Sequence, residues 1–268
     1  MSHLLREQAP ITEAGWVLLD AEARERLAPA LAARKLVDFA GPHGWDHSAT
    51  NLGRVQALAD PPSDGIEALQ RRVLPLVELR ATFRVARTQL DDAERGAPDI
   101  DLDELADAAM RIARAENAAV FHGWTAAGIS GVIESSPYEA IALGTDCERY
   151  PRDVAKAVDA LRAAGVDGPY GLALSPEVHT NVLESSEHGG YPLFDHLRKI
   201  LGDGPIVWAP AVSGGSVLSL RGGDFLFDSG EDLSIGYLNH DSDAVELYIE
   251  ESFSFQVATP EAAVGLAP

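Results

Sequence analysis

One cysteine, Cys147, is all the thiol this 268-residue chain has. A lone cysteine excludes an internal disulfide framework and a thiolate zinc site, and it fits a reducing compartment. Basic residues are scarce as well: 21 Lys and Arg stand against 42 Asp and Glu, a formal net charge of −21. Tight binding to a phosphate backbone needs the reverse balance, because affinity there comes from counterions released by cationic side chains, so nucleic acid is not an expected partner. No apolar run is long enough to span a bilayer. The first twenty residues, MSHLLREQAPITEAGWVLLD, carry charges and a proline where a secretory signal needs an unbroken apolar core. The expectation is a soluble cytoplasmic protein with no membrane partner. Repeats and low-complexity tracts are missing too. A chain of this length buries enough surface to fold without a metal or disulfide staple.

Motifs that carry chemistry are equally thin. His43 and His47 stand four apart, a spacing that lets two imidazoles share a metal on a helix, but Gly41, Pro42 and Gly44 make a helix there unfavourable and leave them as loop histidines. Asp99, Asp101 and Asp103 imitate the start of a calcium loop, yet Glu104 occupies the turn position that needs glycine and Met110 the position that needs a bidentate acid. G-I-S-G-V at 128–132 lacks the last glycine of a nucleophile elbow around Ser130. No phosphate-cradling glycine loop is present. The segment 221–241, RGGDFLFDSGEDLSIGYLNHD, gathers Asp224, Asp228, Asp232, Asp241 and His240. Its acids suit turns between short strands, and a metal-dependent hydrolase built on them is the competing reading.

What is present is pattern. Thr12 can cap a helix on which Trp16, Leu19, Ala23, Leu27 and Leu31 recur at helical spacing, with Pro29 ending or kinking it near Ala28. Val77, Leu79, Ala81, Phe83 and Val85 alternate with polar residues, which predicts a strand with one wet face. Together with 52–58 and the P-P-S-D-G breaker at 61–65, that strand suggests an extended two-stranded excursion. Asp101 can cap a long helix running to about His122, with Glu104 reaching back. Short α and β pieces fill 134–221: helices near 151–164 and 192–201, one opening at Ser175 and Pro176, and strands at 170–174, 206–212 and 216–221. A strand over 244–258 follows, with Val245, Leu247, Ile249, Phe253, Phe255 and Val257 on one side, broken only by Glu251. The reading is a mixed α+β protein with an extended arm, a separate middle block and the profile of a scaffold rather than an enzyme.

Several blocks stand in order across nearly the whole chain: L-L-R-E-Q-A-P-I-T-E-A-G-W, A-R-K-L-V-D-F-A-G-P-H-G-W, L-P-L-V-E-L-R-A-T-F, L-D-D-A-E-R-G-A-P-D-I-D-L, G-V-D-G-P-Y, H-G-G-Y-P-L and R-G-G-D-F with G-E-D-L-S-I-G-Y, closed by E-S-F-S-F-Q-V. Together they resemble encapsulin shell proteins. The resemblance implies the major capsid fold of tailed phages, of the Hong Kong 97 type. A peripheral domain would comprise 1–46, 86–133 and 222–268, an extended loop 47–85, and an axial domain 134–221. It implies a closed icosahedral homo-oligomer, without a cofactor of its own, around a cargo such as a ferritin-like iron protein or a dye-decolourising peroxidase. A phage capsid protein proper would share that fold. By position, Leu27, Leu31, Arg34 and Asp38 match the lumenal groove that takes a short C-terminal targeting peptide of the cargo. Glu187, His188, Gly189 and Gly190 match a loop lining the five-fold pore.

Overall fold

The computed structural model describes residues 2–144, 146–186 and 190–268. Helix α1 (Glu13–Ala30) leads to β1 (Asp38–Ala40), β2 (Ala49–Ala57), β3 (Leu69–Pro75) and β4 (Val77–Ala86), then to α2 (Arg87–Glu94) and the 20-residue α3 (Asp103–His122). The middle block holds α4 (Val132–Ser135), β5 (Ile141–Ala142), α5 (Tyr150–Ala163), β6 (Tyr170–Leu174), α6 (Pro176–Glu184), α7 (Leu193–Ile200), β7 (Ile206–Trp208) and β8 (Gly215–Ser219). Strands β9 (Phe225–Ser229), β10 (Ser234–His240), β11 (Ala244–Val257) and β12 (Ala263–Ala267) complete the chain.

Local chemistry explains most boundaries. The Thr12 hydroxyl accepts from Gly15 N at 3.2 Å and starts α1. Pro29 does not stop that helix near Ala28 as the sequence suggests. It sits in the last turn, where the bond its missing N–H would have made goes to the carbonyl of exposed Glu25, and Leu31 N still closes on Leu27 O at 3.0 Å. Ser175 caps α6 through Val178 N, with Pro176 in the first turn. The expected capping box on α3 is not formed. Asp101 Oδ1 accepts from Asp103 N, whereas Glu104 Oε2 accepts from Arg84 N at 2.8 Å and ties the helix to β4.

Two five-stranded sheets organise these elements. In the first, long β11 is the spine: its residues 244–253 pair antiparallel with β4 along one edge, while β10 and then β9 follow one another along the other, and β1 adds parallel to β9. The second sheet runs β5-β12-β8-β6-β7. Helix α3 bridges their two cores. Leu105, Ala109, Ile112 and Ala113 pack with α1, β4 and β11, whereas Ala119, Val120 and Phe121 pack with the second sheet and its helices. At the changeover lie two fully buried polar residues, Glu116 and Asn117. Asn117 accepts from Ala32 N and Ala33 N and donates to Ala30 O and Pro210 O, so one amide satisfies the backbone where α1 ends.

Two placements differ from the sequence reading. Residues 77–85, assigned there to the arm, form β4 inside the first sheet, because its apolar side (Ala81, Phe83, Val85) is buried against α3 and α1. Among the described residues only β2 and β3 stand apart, as a two-stranded sheet. The last strand, β12, lies not with 222–257 but in the second sheet between β5 and β8, a pairing in which AVGLA is buried on both sides.

Candidate functional site

Between the outer side of α1 and the segment entering β10 runs a cleft of about 400 Å³, lined by Ala23, Arg24, Leu27, Ala28, Leu31 and Arg34 on one side and by Asp232, Leu233, Ser234 and Ile235 on the other. Helical spacing produces the first wall: positions 24, 27, 28 and 31 fall on one face of the helix. The second wall is held in place by Arg6, which grips Asp20 of α1 with two bonds of 2.7 and 2.8 Å and donates through Nε to Ile235 O at 2.7 Å.

The four residues nominated for this groove do not behave alike. Leu27 and Leu31 line it, Leu27 as a buried residue of the core and Leu31 half-buried at its edge. Asp38 does not. It lies on β1, where its Oδ2 accepts from Gly223 N at 2.6 Å, beside a different and smaller depression. Arg34 touches the groove, but its guanidinium is spent inward: Nε reaches Glu116 at 2.6 Å, Nη1 Asp232 at 2.6 Å and Nη2 Glu251 at 2.8 Å, and its plane lies over Phe39 and Phe227. Sequence reasoning missed Arg24, which is exposed on the groove wall and makes no ion pair among the described residues.

Beneath the groove Arg34 faces three acids, of which Glu116 and Glu251 are out of contact with water. Burial would lower the arginine's pKa, but Glu116, Glu251 and Asp232 together raise it. For Glu251 burial and the neighbouring Glu116 push the carboxyl well up, against the pull of Arg34. Glu116 is also raised, by its burial, against Arg34. Oε1 of each glutamate is buried with no other donor facing it. One proton held between the two carboxyls would satisfy both atoms. Glu251 is the residue that breaks the apolar side of the 244–258 pattern, and the cluster is the reason for the break.

The acids of 221–241 do not converge on one centre. Asp224 is bound bidentately by Arg221 at 2.9 Å, Asp232 by Arg34, and Asp241 accepts from Asp243 N and Ala244 N in the turn before β11 and pairs with Arg84. Asp228, on a strand and not in a turn, meets His43 and His47. Of the nominated pore residues, Glu187, His188 and Gly189 lie outside the described residues. Gly190 has φ +80°, with open space where a side chain would stand.

On the hairpin of β2 and β3, the register pairs Val55 with Arg71 and Ala57 with Leu69, so Val55, Leu69 and Val73 share one face. All three are about half exposed, with fractional exposures of 52, 51 and 49 %.

A family model described as "Encapsulating protein for peroxidase" matches residues 1–254. A type 1 encapsulin shell protein of Rhodospirillum rubrum is 45% identical over 271 residues, covering 99% of this chain and 96% of its own length. Among solved structures, a virus-like particle from Pyrococcus furiosus superposes with a TM-score of 0.60 at 16% identity, over 92% of this chain and 98% of the other. The capsid of an empty GTA particle gives 0.54 at 16% identity, over 89% and 90%. These two show the fold, the capsid fold of the Hong Kong 97 type. With a family model matching 1–254 and 45% identity over nearly the full length of both chains, this chain belongs to the family of type 1 encapsulin shell proteins.

Proposed function

We propose that copies of this chain tile a closed shell and that the cleft along α1 receives the C-terminal targeting peptide of an enclosed protein, a peroxidase in the family's own description. The single observation that carries the groove assignment is its chemistry: an open, half-apolar cleft with Leu27 and Leu31 at its base and one uncommitted cation, Arg24, on its wall. An otherwise disordered tail gains apolar anchorage in such a groove and fixes its direction through a charged contact, folding as it binds. Arg34 acts indirectly, by holding Asp232 and hence the opposite wall. The rigidity of that wall spares the shell an ordering cost when the peptide arrives.

Shell formation follows from the same physics at other surfaces. A protomer carrying a net charge of −21 repels its copies, so the contacts that assemble it must be apolar or locally complementary and short in range. The hairpin face on which Val55, Leu69 and Val73 surround Arg71 fits that need, apolar contact with one cation placed within it. Closed symmetry then multiplies modest contacts into a stable particle.

Ala28 is exposed on the groove wall and away from the core, so Ala28→Trp should fill the cleft at a cost to α1 of only about 0.5 kcal/mol. Particles of normal size are expected, with cargo content reduced at least tenfold, read by native mass spectrometry after co-expression with a peroxidase carrying its C-terminal tail. The same peroxidase without its tail sets the background. Undiminished loading of Ala28→Trp particles would remove the groove from the mechanism. A charged residue at Leu27 is the poorer probe, since that side chain belongs to the core between α1 and β11.

A further inference from the structure

At the root of the hairpin, three side chains from distant parts of the chain meet. His43 Nε2 lies 2.7 Å from Asp228 Oδ1, and His47 Nε2 lies 3.2 Å from Asp228 Oδ2, so each imidazole addresses a different oxygen of one carboxylate. The ligand atoms of the three all fall within 4.8 Å of one another. Two features hold them there. The loop 41–47 is pinned to the end of β9 by His43 N to Ser229 O at 3.0 Å and Gly44 N to Gly230 O at 2.9 Å, and it approaches so closely that a Cβ on Gly41 would stand 2.4 Å from Ser229 O. The carboxylate is fixed from behind by the hydroxyl of Thr50 on β2, itself 2.6 Å from Ser254 Oγ on β11.

We infer that His43, His47 and Asp228 form a binding site for a first-row divalent transition cation, placed where it clamps the 41–47 loop to β9 beside the first residues of the hairpin. Two imidazole nitrogens and one carboxylate oxygen, with no thiolate, suit zinc, cobalt, nickel, manganese or ferrous iron, whereas calcium and magnesium prefer an all-oxygen shell. Donors bound to one such cation at about 2.0–2.2 Å stand roughly 3–3.5 Å apart. The two imidazole–carboxylate separations are 2.7 and 3.2 Å and no pair of ligand atoms exceeds 4.8 Å, so loading requires shifts of roughly 1 Å in these side chains. Thr50 supplies the outer hydrogen bond that orients the ligating carboxylate. His43 is 44 % exposed, which leaves the cation open to water on that side. The helical i, i+4 spacing of the two histidines plays no part, because they sit in a loop and converge only through the fold.

The test uses tag-free assembled particles stripped with chelator and titrated with Co2+, followed by the visible d–d absorption, and with Zn2+ by calorimetry. One cation per chain is expected. His43→Gln keeps an amide donor for Asp228 but loses the ligand, so it should weaken binding by at least tenfold while particles still form. His47→Gln is the second variant and should do the same, which separates a ligand role from a loop-packing role. Wild-type particles that bind neither cation, or that bind both no more tightly than the two variants, would overturn the assignment.

Discussion

Arg34→Ala is expected to cost about 3–5 kcal/mol of protomer stability, because it leaves two buried glutamates without their cation. Arg34 is the only basic residue bonded to Glu116 and Glu251 among the described residues. Its loss also frees Phe39 and Phe227 from the guanidinium that covers them. Low soluble yield and a melting temperature many degrees lower are the expected readouts. The triple change Arg34→Met, Glu116→Leu and Glu251→Leu should recover most of that stability, since removing every member of a buried ion cluster costs far less than orphaning some of it. Arg34→Ala melting like wild type, or a triple variant no more stable than Arg34→Ala, would show that this cluster does not hold α3 between its two cores.

The raised Glu251 carboxyl gives the same cluster a pH dependence. A carboxyl whose folded pKa is raised binds its proton more tightly in the folded chain, so its contribution is complete below the ordinary carboxyl range and is lost as pH rises through the raised value. Glu251→Gln imitates the protonated acid. It should fold within about 1 kcal/mol of wild type at acidic pH and lose stability less steeply on the alkaline side. Melting curves across a pH series, taken on both proteins, decide this: parallel curves would place the titrating group elsewhere.

Charging the hairpin should act on assembly and not on the protomer fold. Leu69→Asp with Val73→Asp puts two carboxylates, on either side of Arg71, on a face whose apolar side chains are half exposed in the protomer. A two-stranded hairpin alone is marginal in water, so in the assembly proposed above this face is covered by a neighbouring copy. Burying two such side chains contributes about 3–6 kcal/mol per protomer, roughly two to four powers of ten in each association step. Analytical ultracentrifugation is expected to show small species in place of large particles, with an unchanged far-ultraviolet circular dichroism spectrum. Particles forming at wild-type yield would exclude this face as a contact between copies.

Much of the architecture was legible in the chain because it depends on chemistry within a few residues. Alternation over 244–258 and 77–85, the Thr12 and Ser175 caps and the apolar stripe of α3 each report a local periodicity or a single hydrogen bond, and each element formed where its pattern stands. Even the flaw in one pattern, Glu251, was visible, although not its meaning. The ordered blocks shared with encapsulin shell proteins gave the family, which near-full-length similarity then showed.

What only the tertiary structure decided is which distant residues meet. Arg34 is separated by 82 residues from Glu116 and by 217 from Glu251, and His47 by 181 from Asp228. No spacing rule reaches so far. The same holds for β12, whose short apolar run could have joined either sheet and was placed by its partners β5 and β8. Periodicity states that a side chain turns inward, since burial is a property of one face of one element. The partner waiting there depends on how the faces of separate elements are brought together, and so Arg34 reads in the chain as a groove residue and in the folded molecule as the centre of a buried cluster.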